Sequence, residues 1–206
     1  NVTSSHYSGG RKSGRNLNIP TQLLKPPASI VVAYGEMEYR EEVETDGNLV
    51  SQRGPLVWSA HRLVAPADSP AANFESFLRP GVPLTDSFLA HLELSTHHFQ
   101  NSETVNQFRQ RWNQFLQDGD TLVVYHPSGI RMLECVDAKL GNWITIKSIN
   151  FNGQGPRRSL IEFVKNECEK IELDFPYQGR AGKRLGNAVT LVNHLREFGL
   201  KKSESR

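Results

Sequence analysis

Five basic side chains, Arg157, Arg158, Arg180, Lys183 and Arg184, are the residues of this chain best suited to holding a phosphate. Three of them stand at the start of the last helical stripe. There exposed backbone N–H groups and the helix dipole also favour an anion. Contacts of that kind position a nucleic-acid backbone without reading its sequence. The alternative is an ordinary solvated basic face. Glu36 and Glu38 head an acidic run continued by Glu41, Glu42 and Glu44, and on their own they read as solvated charges on an edge strand. His97 and His98 are adjacent and point apart, with no Cys or carboxylate to complete a metal set, so they read as a surface pair. His126, at a strand end, reads as a structural histidine. Cys135 and Cys168 match no ligand spacing and read as buried free thiols.

The elements that must carry these groups are legible in part. With 206 residues, 37% hydrophobic and 22% charged, the chain is the size of one domain with tails. The net charge of +2 gives no bulk argument for a polyanionic partner, so any basic surface must be local. No apolar run approaches a membrane span and no secretory core is present, which predicts an intracellular protein, cytoplasmic or nuclear, with no membrane partner. Residues 1–28 are rich in Ser, Gly, Asn and Pro, carry four basic residues and no acidic ones, and read as a tail that orders only against a partner or its own domain.

Ile30 to Tyr34 is a short apolar run suited to a central strand, and 36–54 reads as a strand end plus loop. Leu56 to Val64, Phe74 to Leu78, Thr121 to Tyr125 and Trp143 to Ile149 are further strand candidates. Val105, Phe108, Trp112, Phe115 and Leu116 share one helical face, which makes Trp112 and Phe115 core residues; Ser102 offers half a capping box. Leu160, Phe163, Val164, Cys168 and Ile171 form another stripe. Leu185, Ala188, Val189, Val192 and Leu195 form the last, which Gly199 is expected to end. The order predicts an α/β domain with a mixed five-stranded sheet over 29–199, followed by a charged tail at 200–206.

The segments Phe74–Pro83, Leu92–Ser95 and Gly119–Arg131, with the helix between them, resemble the middle of a proofreading-type 3′–5′ exonuclease of the DEDD superfamily, histidine subtype. Individually these matches are weak; their order and spacing carry the likeness, which extends over about 30–199. It implies a ribonuclease-H-like fold. It also implies that Glu36 and Glu38 stand where the family has Asp-x-Glu, two ligands to a pair of divalent ions that activate water. His126 is retained, but Arg131 replaces a metal-binding Asp. In the last motif Gly182 replaces the general-base His and Asn187 an Asp ligand. The likeness further implies that the basic cluster flanks the substrate groove, and that Arg131 meets Glu36 or Glu38 in place of metal.

Two of four carboxylates and no general base remain, which predicts a catalytically inactive exonuclease-like domain without a cofactor. Its partner would be single-stranded nucleic acid or a protein of a nucleic-acid-processing complex. Two alternatives stand beside this reading. One is a divergent, active 3′–5′ exonuclease using Mg²⁺ or Mn²⁺ on Glu36 and Glu38, with Asp120, Glu134 or Asp137 recruited. The other is a scaffold without nucleic-acid contact.

Overall fold

β-branched and apolar residues alternate around Ile30–Ala33 so that each face of the central strand buries a different helix layer. The computed structural model describes residues 19–43, 47, 49–63, 71–149 and 177–204. Five strands, β1 (Ile30–Val43), β2 (Leu49–Arg62), β3 (Asn73–Phe77), β4 (Thr121–Val124) and β5 (Asn142–Thr145), form one sheet in the order β3-β2-β1-β4-β5. β2 is antiparallel to β1 and β3, whereas β4 is parallel to β1 and β5. The mixed α/β sheet expected from the sequence is therefore present. The described helices are α1 (Asp86–Leu92), α2 (Val105–Phe115), α3 (Pro127–Cys135) and α4 (Gly179–Glu204).

The period-2 geometry of a strand sends Ile30 and Val32 to one face and Val31 and Ala33 to the other. The first pair packs with Val123, Leu185, Val189 and Val192, which places α4 on that face. The second packs with Phe74, Phe108, Trp112, Ile130 and Leu133, under α2 and α3. Trp112 is fully buried, edge-on to Trp58 with ring centroids 5.6 Å apart, and its indole N–H donates to the Lys139 carbonyl at 2.7 Å. This is the expected core stripe, satisfied at its polar end. Gly35 lies under the Trp58 ring, where a Cβ would come within 2.4 Å of it.

Several local expectations need correction. The segment 36–54 is not a strand end plus loop, because β1 and β2 pair along nearly their whole length as a long hairpin. The cap of α2 is Thr104, not Ser102: its hydroxyl accepts from the Gln107 N–H and the Gln107 side chain accepts from the Thr104 N–H. α4 begins earlier than its apolar stripe and does not stop at Gly199 but continues to Glu204. Residues 19–28 lie against the domain: Leu23 is fully buried and Arg196 donates to the carbonyls of Leu23 and Lys25. The stripe from Leu160 to Ile171, with Arg157, Arg158 and Cys168, falls outside the described residues, as do residues 1–18 and 205–206.

At the amino ends of β4 and β1 a buried ion pair locks the layers. Arg62 grips both oxygens of Asp120 at 2.7 and 2.8 Å and also donates to the carbonyls of Ala28 and Phe115. Asp120 in turn accepts the Gln117 N–H at 2.8 Å. Both charged groups are met by several partners, the condition under which a buried pair is tolerated.

Candidate functional site

The same alternation that buries Ile30 and Val32 carries Tyr34, Glu36 and Glu38 onto the α4 face in the middle of β1, just past its pairing with β4. A bulge between Glu36 and Met37, where the pairing on β2 skips from Val57 to Pro55, bends the strand between the two carboxylates. They go to different partners. Glu38 is 3% exposed, and its carboxylate accepts the Gly81 N–H, at 3.1 and 3.2 Å for the two oxygens. Glu36, with its side chain 12% exposed, has Oε1 3.3 Å from Nε of Arg180 on α4. That contact is a charge pairing without hydrogen-bond geometry, and Oε1 has no hydrogen-bond partner. Burial pushes the Glu36 carboxyl pKa up, more than the opposing pull of Arg180, Arg184 and His91 brings it down.

One turn along α4, Arg184 donates to the Tyr34 hydroxyl at 3.0 Å and its guanidinium stands 5.7 Å from the Tyr34 ring centre. Burial, then the neighbouring Glu36 charge, raises the Tyr34 pKa. Arg180 also donates to Nε2 of His91, and Lys183 pairs with Glu93, both at the end of α1. A charged ladder thus joins α1, α4 and β1. Beside it a cavity of about 210 Å³ opens between the middle of β1 and the carboxyl end of β4, lined by Glu36, Met37, His126, Ser128, Met132 and Arg180 among others.

His126 is the N-cap of α3. Its Nδ1 accepts the Ser128 N–H at 3.1 Å, and Pro127 takes the first helical position. Slight burial, then the nearby charges of Lys147 and Arg131, lower its pKa. The structural reading of His126 is consistent with this arrangement. His97 and His98 stack edge-on, and His98 is tied to Ser95 and Phe77.

Three expectations about the site are corrected. Arg131 does not reach Glu36 or Glu38: α3 buries Gly129, Ile130, Met132 and Leu133 and turns Arg131 to solvent, and no ion pair joins it to either carboxylate among the described residues. The segment around it is a helix, not a strand end, and this moves its side chain off the cleft. The cation at Glu36 is Arg180, with Arg184 one turn on, so the charge facing that carboxylate comes from α4 and not from Arg131. Nor does Gly182 open room for a ligand backbone. A Cβ there would lie 2.6 Å from the Tyr177 carbonyl oxygen, so the chain's own backbone fills that space.

The recruited acids fare no better. Asp120 is spent on Arg62 at the opposite end of the sheet. Glu134 is exposed, and Asp137 is exposed and pairs with Arg109 at 3.7 Å. Among the described residues no group of three or more His, Cys, Asp or Glu is placed to hold a metal ion. Arg180 at Glu36, and Arg184 on the neighbouring Tyr34, bring positive charge that would oppose a divalent ion at that carboxylate.

Sequence reasoning missed Tyr34 and His91. Tyr34 shares the two-residue alternation with Glu36, a signal that was available; His91 is brought in only by the packing of α1.

No family model matches the sequence, and no curated protein matches it. Solved structures do. Exonuclease X in complex with 5′-overhanging duplex DNA superposes with a TM-score of 0.51 at 12% identity, over 82% of this chain and 93% of that one. The nuclease domain of 3′hExo, a DEDDh family member bound to rAMP, superposes with a TM-score of 0.50 at 15% identity, over 82% of this chain and 91% of that one. The fold is exonuclease-like, a mixed five-stranded sheet flanked by helices as in these two structures. Within this exonuclease-like fold the β1 carboxylates are present, and the cations opposite them come from α4.

Proposed function

We propose that this chain is a catalytically inactive exonuclease-like domain used as a binding module for a nucleic-acid strand within a nucleic-acid-processing assembly. One observation carries the inactive reading: Glu36 faces Arg180, with Arg184 one turn away, instead of further carboxylates. A guanidinium at this distance supplies the positive charge that a divalent ion would otherwise supply, and it activates no water. The reading of nucleic acid as partner draws on the two structural neighbours, whose bound partners are DNA and rAMP. Arg157 and Arg158, with the N-terminal basic segment, remain candidate phosphate contacts.

A second reading, a protein-interaction module, is favoured by a different observation. Arg180, Lys183 and Arg184 are each already engaged by groups of the protein itself. No described helix is long and apolar enough to cross a membrane; an intracellular location is part of the proposal.

The test is binding of a labelled single strand with and without Mg²⁺ or Mn²⁺. The nucleic-acid reading expects affinity that falls steeply with salt, survives EDTA and leaves the strand intact. Absence of binding at low salt favours the protein module, and stepwise shortening from the 3′ end favours the active enzyme.

A further inference from the structure

We propose that Tyr177 and Glu75 are positioning residues: they pin the entry of α4 to β2 and β3 and thereby hold Arg180 against Glu36. The inference rests on the reading of Glu36 and Arg180 as the charge pair of the site. Arg180 is the second residue of α4, which starts at Gly179. The first backbone N–H groups of a helix have no partner inside it, and helix ends fray. The helix by itself therefore does not fix where Arg180 lies.

The anchor is built on the residues just before it. The Tyr177 hydroxyl donates to the Ala60 carbonyl on β2 at 2.5 Å and to Asn73 Oδ1 on β3 at 2.8 Å. It has one proton, which the two acceptors share. His61 Nδ1 stands 2.9 Å from the same Oδ1, and the Tyr177 ring lies edge-on to the His61 ring with centroids 6.4 Å apart. Burial pushes the Tyr177 pKa up, so the hydroxyl keeps the proton it donates.

One residue on, the Gln178 N–H donates to Glu75 Oε1 on β3 at 2.8 Å. This satisfies a donor that the helix leaves open and sets a carboxylate where the helix dipole favours one. Gly179 then turns with φ +65°, and a Cβ there would come within 2.8 Å of the Leu92 carbonyl oxygen at the end of α1. Arg180 follows and meets Glu36 on β1. Four consecutive residues thus touch β2, β3, α1 and β1 in turn. Tyr177 and Glu75 act on the site through the backbone of 178–180, the kind of support that keeps a side chain in one geometry.

The experiment is a double-mutant cycle on the whole chain. Urea denaturation of the parent, Glu36→Gln, Arg180→Ala and the double variant gives the coupling between the two residues. The cycle is repeated in a Tyr177→Phe background and in a Thr190→Val background. Thr190 is buried further along α4 and donates to the Gly186 carbonyl at 3.0 Å, so it reports the loss of a hydroxyl hydrogen bond outside the anchor. The proposal expects the coupling to fall to about half or less with Tyr177→Phe and to keep its parent value with Thr190→Val. Glu75→Gln retains an oxygen for the Gln178 N–H and should preserve the coupling, whereas Glu75→Ala should lower it. This pair decides if Tyr177→Phe fails to fold. A coupling unchanged by Tyr177→Phe or by Glu75→Ala, or lowered equally by Thr190→Val, overturns the proposal. No coupling in the parent removes the charge pair itself, and the proposal with it.

Discussion

Arg180 on α4 holds its guanidinium Nε 3.3 Å from Oε1 of Glu36 on β1. The two residues are 144 positions apart in sequence and meet only because α4 packs with its amino end over the middle of the central strand. Both side chains are largely withdrawn from water, at 21% and 12% exposure, so the pair is poorly screened and matters more than a surface ion pair.

Removing the cation should therefore be costly. Arg180→Ala leaves a largely buried carboxylate with the weaker pull of Arg184 and His91, and we expect a loss of about 2 kcal/mol, below the range for fully buried pairs because some solvent reaches the site. Urea denaturation of Arg180→Ala and of Arg180→Ala/Glu36→Gln checks this. The double variant should recover part of the loss, and an Arg180→Ala as stable as the parent would remove the pair from the account.

The pH dependence has a definite sign. The folded-state pKa of Glu36 is raised above its ordinary 4.5 by burial, so the folded protein binds the proton more tightly than the unfolded chain. This residue's contribution to stability is greatest below 4.5 and declines as pH rises through the raised value. Glu36→Gln should abolish that decline and gain on the parent toward neutral pH. Denaturation midpoints of the two proteins across this window measure it; parallel curves would show that Glu36 titrates normally.

Asp120→Ala should be among the most disruptive single substitutions. It strands the Arg62 guanidinium in the core beside two carbonyls, and we expect a loss of about 3–5 kcal/mol. A paired apolar replacement, Arg62→Met/Asp120→Leu, should cost much less than Asp120→Ala alone. Thermal unfolding of the three proteins decides the order.

Restoring the family residues where sequence alignment puts them should fail. Gly182→His/Asn187→Asp drives a side chain into the Tyr177 backbone, so the variant should lose about 1–3 kcal/mol from overpacking and gain no nuclease activity. Strand-degradation assays with Mn²⁺, alongside thermal unfolding, test both parts.

The contrast between what was legible and what was not follows from range. The strands and helices with strong periodicity, Phe74–Phe77, Val105–Phe115 and Thr121–Val124, were readable because their signals are local. The fold class followed from their order. The hairpin was obscured because Glu41 and Glu42 are poor strand formers, and cross-strand pairing makes their segment a strand. α3 was hidden by its continuity with β4: Val124-Tyr125-His126 reads as a strand end, and Pro127 at the first helical position was not credited as a helix start. Glu36 was readable as a site residue, whereas its partner was not. A motif alignment that places Gly182 in the cleft differs from the true face of α4 by a fraction of a turn, and which residues of a helix face a strand is settled by packing. Arg131 was assigned to the site by the same reasoning and lies in solvent because a helix had replaced the expected strand end.

The most direct measurement of the central claim is incubation of a 3′-labelled and a 5′-labelled single strand with the protein in Mn²⁺, in Mg²⁺ and in EDTA, read by length. The account predicts full-length strand under all three conditions and no micromolar Mn²⁺ binding by calorimetry. Metal-dependent shortening from the 3′ end that vanishes in Glu36→Gln would contradict it.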